Sequence, residues 1–164
     1  MRRVLGRSAR APRRTGLLLV ATLTQALWMA GPASAMDTAP STDLPDLSES
    51  RAALYAGDYD RALALLMPLT ATVRHADLYN LLGFANRSLK RYDEAARWYK
   101  EALFYDPAHR PALEYQGELF IAVGDFRRAE KNLELLRLLC HPTGCEEQEK
   151  LRKALVAADR KPGT

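Results

Sequence analysis

The chain has 164 residues, of which 24 are Lys or Arg and 20 are Asp or Glu, so its formal net charge is +4. Six of the arginines and none of the acidic residues lie in residues 1–35, so the rest of the chain carries 18 basic and 20 acidic side chains, a net charge of −2. A folded domain without an excess of positive charge is not expected to bind nucleic acid, which requires a basic face.

Residues 1–35 have the three parts of a signal peptide. A basic segment precedes an apolar run at 16–30, and the small-residue sequence Ala-Ser-Ala follows at 33–35. Spanning a bilayer takes roughly 20 apolar residues, so this run is too short for a stable anchor. We predict export, into a bacterial periplasm, with cleavage after Ala35 and no stable membrane insertion of the mature chain.

Residues 36–45 are rich in Pro, Ser, Thr and Asp and are predicted to form a flexible lead-in. From Leu47 onward apolar residues recur with helical spacing, and almost no stretch alternates as a strand would. Pro68 is expected to kink or end the helix in which it falls. Other breaks between helical segments are marked by Gly57, Gly124, Gly144, Pro107, Pro111 and Pro142. The sequence therefore predicts an all-α fold.

The helical region repeats itself at a nearly constant interval. Gly83 recurs as Gly117. The sequence Tyr-Asp-x-Ala at 92–95 also occurs one interval earlier at 59–62, and its alanine recurs one interval later as Ala129. A period of about 34 residues with a helix–turn–helix pattern makes the chain resemble the tetratricopeptide-repeat (TPR) family.

The middle repeat matches the family's motif most completely. The matching residues are Tyr79-x-x-Leu82-Gly83, Ala95-x-x-x-Tyr99, Ala102 and Pro107. Asn86 stands where an aromatic residue is usual, and in the third repeat Gln116 stands where leucine is usual. Gly83 and Ala95 are expected to be small because the two helices of a repeat cross closely at these positions.

The resemblance implies a right-handed superhelical solenoid of three helix–turn–helix repeats followed by a C-terminal capping helix. The TPR domain is predicted at 46–158, with repeats at about 43–75, 76–109 and 110–143, a capping helix at 145–158 and a polar tail at 159–164. Because one repeat cannot bury its apolar face alone, the repeats must stack, and the capping helix closes the open end of the stack.

Cys140 and Cys145 flank the turn between the last repeat and the capping helix. In an exported protein we predict that they form a disulfide, since the compartment is oxidising. Two alternatives stay open. One is a metal site that also uses His141 and Glu146, although a second metal-binding pair is missing. The other is a pair of free or redox-active thiols, although the spacing C-x4-C differs from the redox spacing C-x-x-C.

The sequence lacks the common catalytic motifs: G-x-S-x-G, H-E-x-x-H, the P-loop and the dinucleotide-binding fingerprint. His75 and His109 occupy equivalent positions just before the second and third repeats, where polar turn residues are ordinary. We therefore predict that the protein is not an enzyme and carries no metal and no cofactor.

The TPR resemblance implies that the first helix of each repeat lines a concave groove that binds a protein or peptide. The family's groove positions correspond to Leu47, Arg51, Leu54 and Tyr55 in the first repeat, to Asp77, Asn80, Phe84, Arg87 and Ser88 in the second, and to Glu114, Glu118 and Ile121 in the third. For Leu54 and Ile121, packing against a neighbouring helix is an equal alternative. The resemblance thus predicts a scaffold, acting as an adaptor or assembly factor.

Some TPR proteins grip a C-terminal carboxylate with Lys, Asn and Arg at these groove positions. Only Asn80 matches that clamp in part, and Glu114 and Glu118 would repel a carboxylate. With Arg51 and Arg87 at one end and the glutamates at the other, we expect an extended peptide or helix of mixed charge, anchored on Tyr55 and Phe84. The alternative function is a metal- or redox-handling protein that uses Cys140 and Cys145.

Overall fold

A computed structural model describes residues 42–159. The predicted signal peptide, most of the lead-in and most of the polar tail lie outside this range. The described residues form seven α-helices and no β-strand, which confirms the predicted all-α class. The helices are α1 (Ser48–Tyr55), α2 (Tyr59–Leu66), α3 (Ala76–Ser88), α4 (Tyr92–Tyr105), α5 (Arg110–Ala122), α6 (Phe126–Leu139) and α7 (Glu146–Asp159).

The helices form three consecutive pairs, each joined by a short turn, and the pairs stack in chain order. Each α-helix packs on the next one along the chain, the first helix of the second pair (α3) also packs on α5, and α5 also packs on α7. Each helix pair thus buries its apolar face against the next, and α7 covers the last pair, as expected of a capping helix.

The turns within the three pairs share one backbone conformation. Gly57, Lys90 and Gly124 occupy equivalent positions and have φ angles of +78°, +60° and +78°. Glycine adopts this left-handed conformation without steric cost, whereas the Cβ of lysine is crowded there. The repeat period of the sequence therefore extends to the turns, and Lys90 is the member of the set that carries strain.

Pro68 ends the second helix of the first pair, as predicted. Helix α2 stops at Leu66 and the chain continues as a 3₁₀ helix, Met67–Ala71. Proline lacks the N–H that a longer helix would need and its ring clashes with the preceding turn. Helix α2 is therefore shorter than α4 and α6, its counterparts in the other two pairs.

Glycine permits two close helix contacts. A Cβ on Gly83 would lie 2.5 Å from the ring of Tyr99, so α3 and α4 approach closely within one pair, as predicted for this position. A Cβ on Gly117 would lie 2.5 Å from the side chain of Leu151 on α7. Gly117 thus allows α5 to pack closely on the capping helix, whereas Gly83 allows α3 to pack closely on the second helix of its own repeat.

Polar residues at two motif positions are explained by hydrogen bonds. Asn86 is 4% exposed and donates from Nδ2 to the Leu82 carbonyl at 2.8 Å. Asn132 donates from Nδ2 both to the Leu113 carbonyl and to Gln116 Oε1, each at 3.0 Å. Buried amides are tolerated where they are paired in this way.

His75 and His109 cap the helices that follow them. His75 Nδ1 accepts from the backbone N–H of Asp77 at 3.1 Å, and His109 Nδ1 accepts from that of Ala112 at 3.1 Å. His109 also donates from Nε2 to Asp77 Oδ1 at 2.9 Å, which ties α5 to α3. The two histidines therefore have a structural role at equivalent repeat junctions.

Candidate functional site

A pocket of about 150 Å³ lies where the first helices of the three pairs meet. Its lining consists of Arg51, Leu54, Tyr55, Asp77, Asn80, Leu81, Phe84, Pro111 and Tyr115. Six of the predicted groove residues therefore surround one cavity: Arg51, Leu54, Tyr55, Asp77, Asn80 and Phe84. Leu47, the first predicted groove residue, is not among them. Three lining residues were missed. Two of them, Leu81 and Tyr115, are one repeat period apart and so occupy equivalent positions in the second and third repeats. The repeat period could therefore have indicated that they lie on the same surface.

Asn80 is the buried polar residue of this pocket. The side chain is 3% exposed, and its Oδ1 atom has no hydrogen-bond partner among the described residues. Leaving a buried acceptor unpaired costs roughly 1–3 kcal/mol. The amide therefore offers a hydrogen-bonding atom that the fold itself does not use.

The rim of the pocket next to α1 is charged. Arg51 Nη2 lies 3.7 Å from Asp77 Oδ2, and the other oxygen of Asp77 accepts the hydrogen bond from His109. The hydrogen bond from His109 is the main cause that lowers the pKa of Asp77, and the positive charge of Arg51 adds to it. Asp77 is therefore an anion held between two helices, and Arg51 is partly neutralised by it.

Arg87 is the centre of a second charged cluster. Its Nη2 lies 2.7 Å from Glu118 Oε2, and its guanidinium lies over the rings of Phe84 and Tyr115 at 5.5 and 5.6 Å. The sequence prediction placed Arg87 and Glu118 at opposite ends of the groove, and this is wrong. Helices α3 and α5 are neighbours, so residues at matching positions on them pair directly.

Two other predicted groove residues are not on an accessible surface. Leu47, which precedes α1, is 4% exposed and packs in the core with Leu54 and Leu78. Glu114 is 3% exposed, and its burial raises its pKa to about 7, against the opposing effect of Lys150. Neither side chain lines the pocket around Asn80, so both stand apart from the candidate site.

The remaining predicted residues lie beside the pocket or contribute only to its wall. Ser88 is the last residue of α3 and is half-buried. Ile121 packs against the buried leucines of α5, α6 and α7. Leu54 is 6% exposed and belongs to the core, yet its side chain also forms part of the pocket wall.

Cys140 and Cys145 are paired across the turn before the capping helix. Their Cα atoms lie 5.5 Å apart, and Gly144 between them has a φ of +76°. Cys140 is buried, and its carbonyl accepts a hydrogen bond from the Gly144 N–H at 2.8 Å. The turn therefore brings the two side chains together at the start of α7.

Residues 42–159 contain no group of three or more His, Cys, Asp or Glu side chains arranged to hold a metal ion. Over the same range no helix combines the length and the apolar character needed to cross a bilayer.

Comparison with known proteins agrees with this architecture. The family model described as "Tetratricopeptide repeat" matches residues 47–111. No curated protein sequence matches the chain significantly.

Two solved structures superimpose well on the chain. A crystal structure of a T3SS complex from Aeromonas hydrophila matches with a TM-score of 0.60 and 18% identity, covering 68% of this chain and 76% of that chain. The NMR structure of the second TPR domain of human RPAP3, in complex with the HSP70 peptide SGPTIEEVD, matches with a TM-score of 0.59 and 20% identity, covering 69% of this chain and 91% of that chain. At such identities these matches show the fold alone. The repeat motif, the stacked helix pairs and the family model over residues 47–111 support a tetratricopeptide-repeat protein, and the described residues have the all-α fold of a TPR solenoid.

Proposed function

We propose that the protein is an exported, non-catalytic scaffold that binds an extended segment of a partner protein in the pocket between α1, α3 and α5. TPR domains bind proteins and peptides, and the similar domain of human RPAP3 is in complex with a peptide. The observation that carries the proposal is the buried, unpaired Oδ1 atom of Asn80 in the wall of that pocket.

A peptide N–H satisfies this acceptor well. Polar atoms buried without a partner are rare in folded proteins because each one costs free energy, so those that persist need an explanation. An extended peptide presents backbone N–H groups at regular intervals, and one of them can donate to Oδ1 of Asn80 when the amide turns about its Cβ–Cγ bond, because in this structure the oxygen itself is buried. Binding would then remove the cost of the unpaired atom, which makes the amide a determinant of affinity.

Aromatic side chains beside Asn80 supply the apolar contact. Tyr55 is 87% exposed at the end of α1, and Phe84 and Tyr115 also line the pocket, with ring centroids 5.1 Å apart. Aromatic residues in partly enclosed pockets commonly dominate the energy of interfaces. The pocket of about 150 Å³ has room for one apolar side chain of the ligand.

The charges favour an internal segment over a free C-terminus. The negative charge of Asp77 already lies near Arg51, and Arg87 is engaged by Glu118. A ligand carboxylate would have to compete with both pairs. We therefore propose that the protein recognises its ligand through a backbone N–H group and one apolar side chain of the ligand.

Site-specific crosslinking tests the location of the site. A photo-crosslinker at Tyr55 is expected to capture the partner in cells, whereas the same group at the exposed Glu130 on α6 is not. The captured protein should then bind the purified scaffold, and an excess of a peptide copied from its crosslinked segment should prevent capture. Equal capture from both positions would show that the pocket is not the binding site.

Export rests on the pattern of residues 1–35. Protein isolated from its host should have Met36 as its first residue, within one or two positions. A mature chain that still begins at Met1 would remove the proposed localisation.

We also propose that Cys140 and Cys145 are oxidised to a disulfide that fixes the capping helix. Intact mass measurement of the exported protein should show two hydrogens fewer than the dithiol and no bound metal. The alternative, a metal- or redox-handling protein, predicts stoichiometric metal instead, or a Cys140→Ser/Cys145→Ser variant that folds normally but fails in the cell.

A further inference from the structure

A second cleft, of about 530 Å³, lies between helix α4 and the chain that follows α2. On one side are the 3₁₀ helix and the extended residues after it, represented by Thr70 and Arg74. On the other side are Trp98 and Tyr105 of α4, with Tyr79 of α3 between them. None of these residues lines the pocket around Asn80, so the cleft is a separate surface.

Three aromatic rings line this cleft. The ring of Tyr79 stacks on Trp98 at a centroid distance of 5.9 Å and an interplanar angle of 8°, and on Tyr105 at 5.4 Å and 19°. Tyr79 is 4% exposed, and its hydroxyl donates to the Val73 carbonyl at 3.2 Å, so the middle ring is fixed. Tyr105 is 40% exposed and is open to a ligand.

The spacing of the two outer rings suits a polyproline II segment. Trp98 and Tyr105 are two turns apart on one helix, which corresponds to about 10.5 Å along its axis. A polyproline II helix repeats every three residues with a rise of about 3.1 Å each, or about 9 Å per turn. Prolines at positions i and i+3 of such a segment can therefore contact Trp98 and Tyr105 at the same time.

The charged side chains of the cleft favour an acidic ligand. Arg74 donates from Nη1 to the carbonyls of Thr70 and Val73, which fixes its guanidinium on the cleft wall. Arg97 and Glu101 are the other charged lining residues. The lining thus carries two positive charges and one negative charge. Arg97 also pairs with Glu94 at 3.2 Å, but this pair is exposed and therefore weak, so a carboxylate next to the prolines can replace Glu94.

We propose that this cleft binds a proline-rich, acidic segment of a partner protein in the polyproline II conformation. Aromatic-lined grooves recognise such segments because the proline helix is already ordered before it binds and loses little conformational entropy. The protein would then have two independent binding surfaces, the pocket around Asn80 and this cleft.

The probe is a fluorescein-labelled peptide in which Pro-x-x-Pro units alternate with glutamate, titrated against the purified protein and followed by anisotropy. The Tyr105→Leu variant is expected to bind this peptide about fivefold to tenfold more weakly, since a ring contact is lost. Tyr55→Leu, which removes an exposed tyrosine from the other pocket, is the matched control and should bind it as the wild type does. Circular dichroism confirms that each variant is folded.

A charge exchange provides a second test that does not depend on the aromatic rings. Arg97 is 73% exposed at its side chain, so Arg97→Glu is not expected to disturb the fold. This variant should prefer a peptide in which lysine replaces glutamate. The proposal is overturned if the wild type shows no binding at about 1 mM peptide, if a peptide with alanine in place of proline binds as tightly, or if Tyr55→Leu abolishes binding while Tyr105→Leu does not.

Discussion

At the scale of single residues, the hydrogen bonds of a side chain reveal more about its role than its place in the repeat motif does. Asn80 and Asn86 are both buried amides on α3, but Asn86 donates to a carbonyl of its own helix, whereas Oδ1 of Asn80 has no partner within residues 42–159. A motif comparison treats the two as substitutions of the same kind. The difference between them separates a residue that stabilises the fold from one that, in the proposed function, binds the ligand.

Lys90 is a strained position that can be relieved. Its φ of +60° matches the glycine angles in the other two turns. We expect Lys90→Gly to raise the free energy of unfolding by about 0.5–1 kcal/mol, because the crowding of Cβ is removed and is offset only in part by the greater freedom of glycine in the unfolded chain. Chemical denaturation measures this. Gly124→Ala, the reverse change at the equivalent position, should destabilise the protein, and a neutral result for both would contradict the account.

Glu114 makes the stability of the protein depend on pH. Burial raises its pKa from 4.5 to about 7, so between these values the folded state holds a proton that the unfolded state releases. Stability due to this group therefore falls as the pH rises from about 4.5 to 7, and the cost is fully present above 7. Arg87 and Lys150 reduce this cost, whereas Glu118 and Glu147 increase it.

Replacement by a neutral isostere tests this dependence. We expect Glu114→Gln to melt roughly 2–5 °C higher than the wild type at pH 8, with the difference disappearing near pH 4.5. Glu130→Gln, on the exposed face of α6, controls for the loss of one negative charge. A melting difference of the same size at both pH values would show that burial of the carboxylate is not the cause.

At the scale of helices, the contact between α5 and α7 decides whether the stack is closed. Gly117→Ala is expected to destabilise the protein by about 1–3 kcal/mol, because the new Cβ would overlap Leu151 at 2.5 Å. In a double-mutant cycle with Leu151→Ala the two costs should be less than additive, since the smaller side chain removes the overlap. Additive losses of stability, measured by thermal unfolding, would mean that the absence of a side chain at Gly117 is not what allows the capping helix to pack closely.

The repeat pattern predicted which helices exist and where they end, since glycine, proline and apolar spacing act locally. The end of α2 before Pro68 and the close contact at Gly83 follow from one residue and its nearest neighbours. The contacts of the Arg87, Glu118 and Glu114 side chains could not be predicted in the same way. Whether a residue on a first helix faces a ligand, the next helix or the cap depends on the rotation of stacked helices, which a single sequence does not specify.

At the scale of the whole molecule, the solenoid offers two surfaces with different chemistry. The pocket around Asn80 lies between first helices and presents a buried hydrogen-bond acceptor beside aromatic rings. The cleft above Tyr79 lies between α4 and the chain after α2 and presents stacked rings beside two arginines. Two separate surfaces on one small domain are suited to bringing two segments of partner proteins together, as a scaffold does.

The most direct test of the central claim compares the two buried asparagines. Binding of the crosslinked partner segment and thermal stability are measured for Asn80→Leu and for Asn86→Leu. We expect Asn80→Leu to keep or raise the melting temperature, because an unpaired acceptor is removed, and to weaken binding at least about tenfold, because the ligand N–H loses its acceptor. Asn86→Leu should lower the melting temperature and leave the affinity of the folded protein unchanged. If Asn80→Leu binds the partner as tightly as the wild type does, the proposed binding site is wrong.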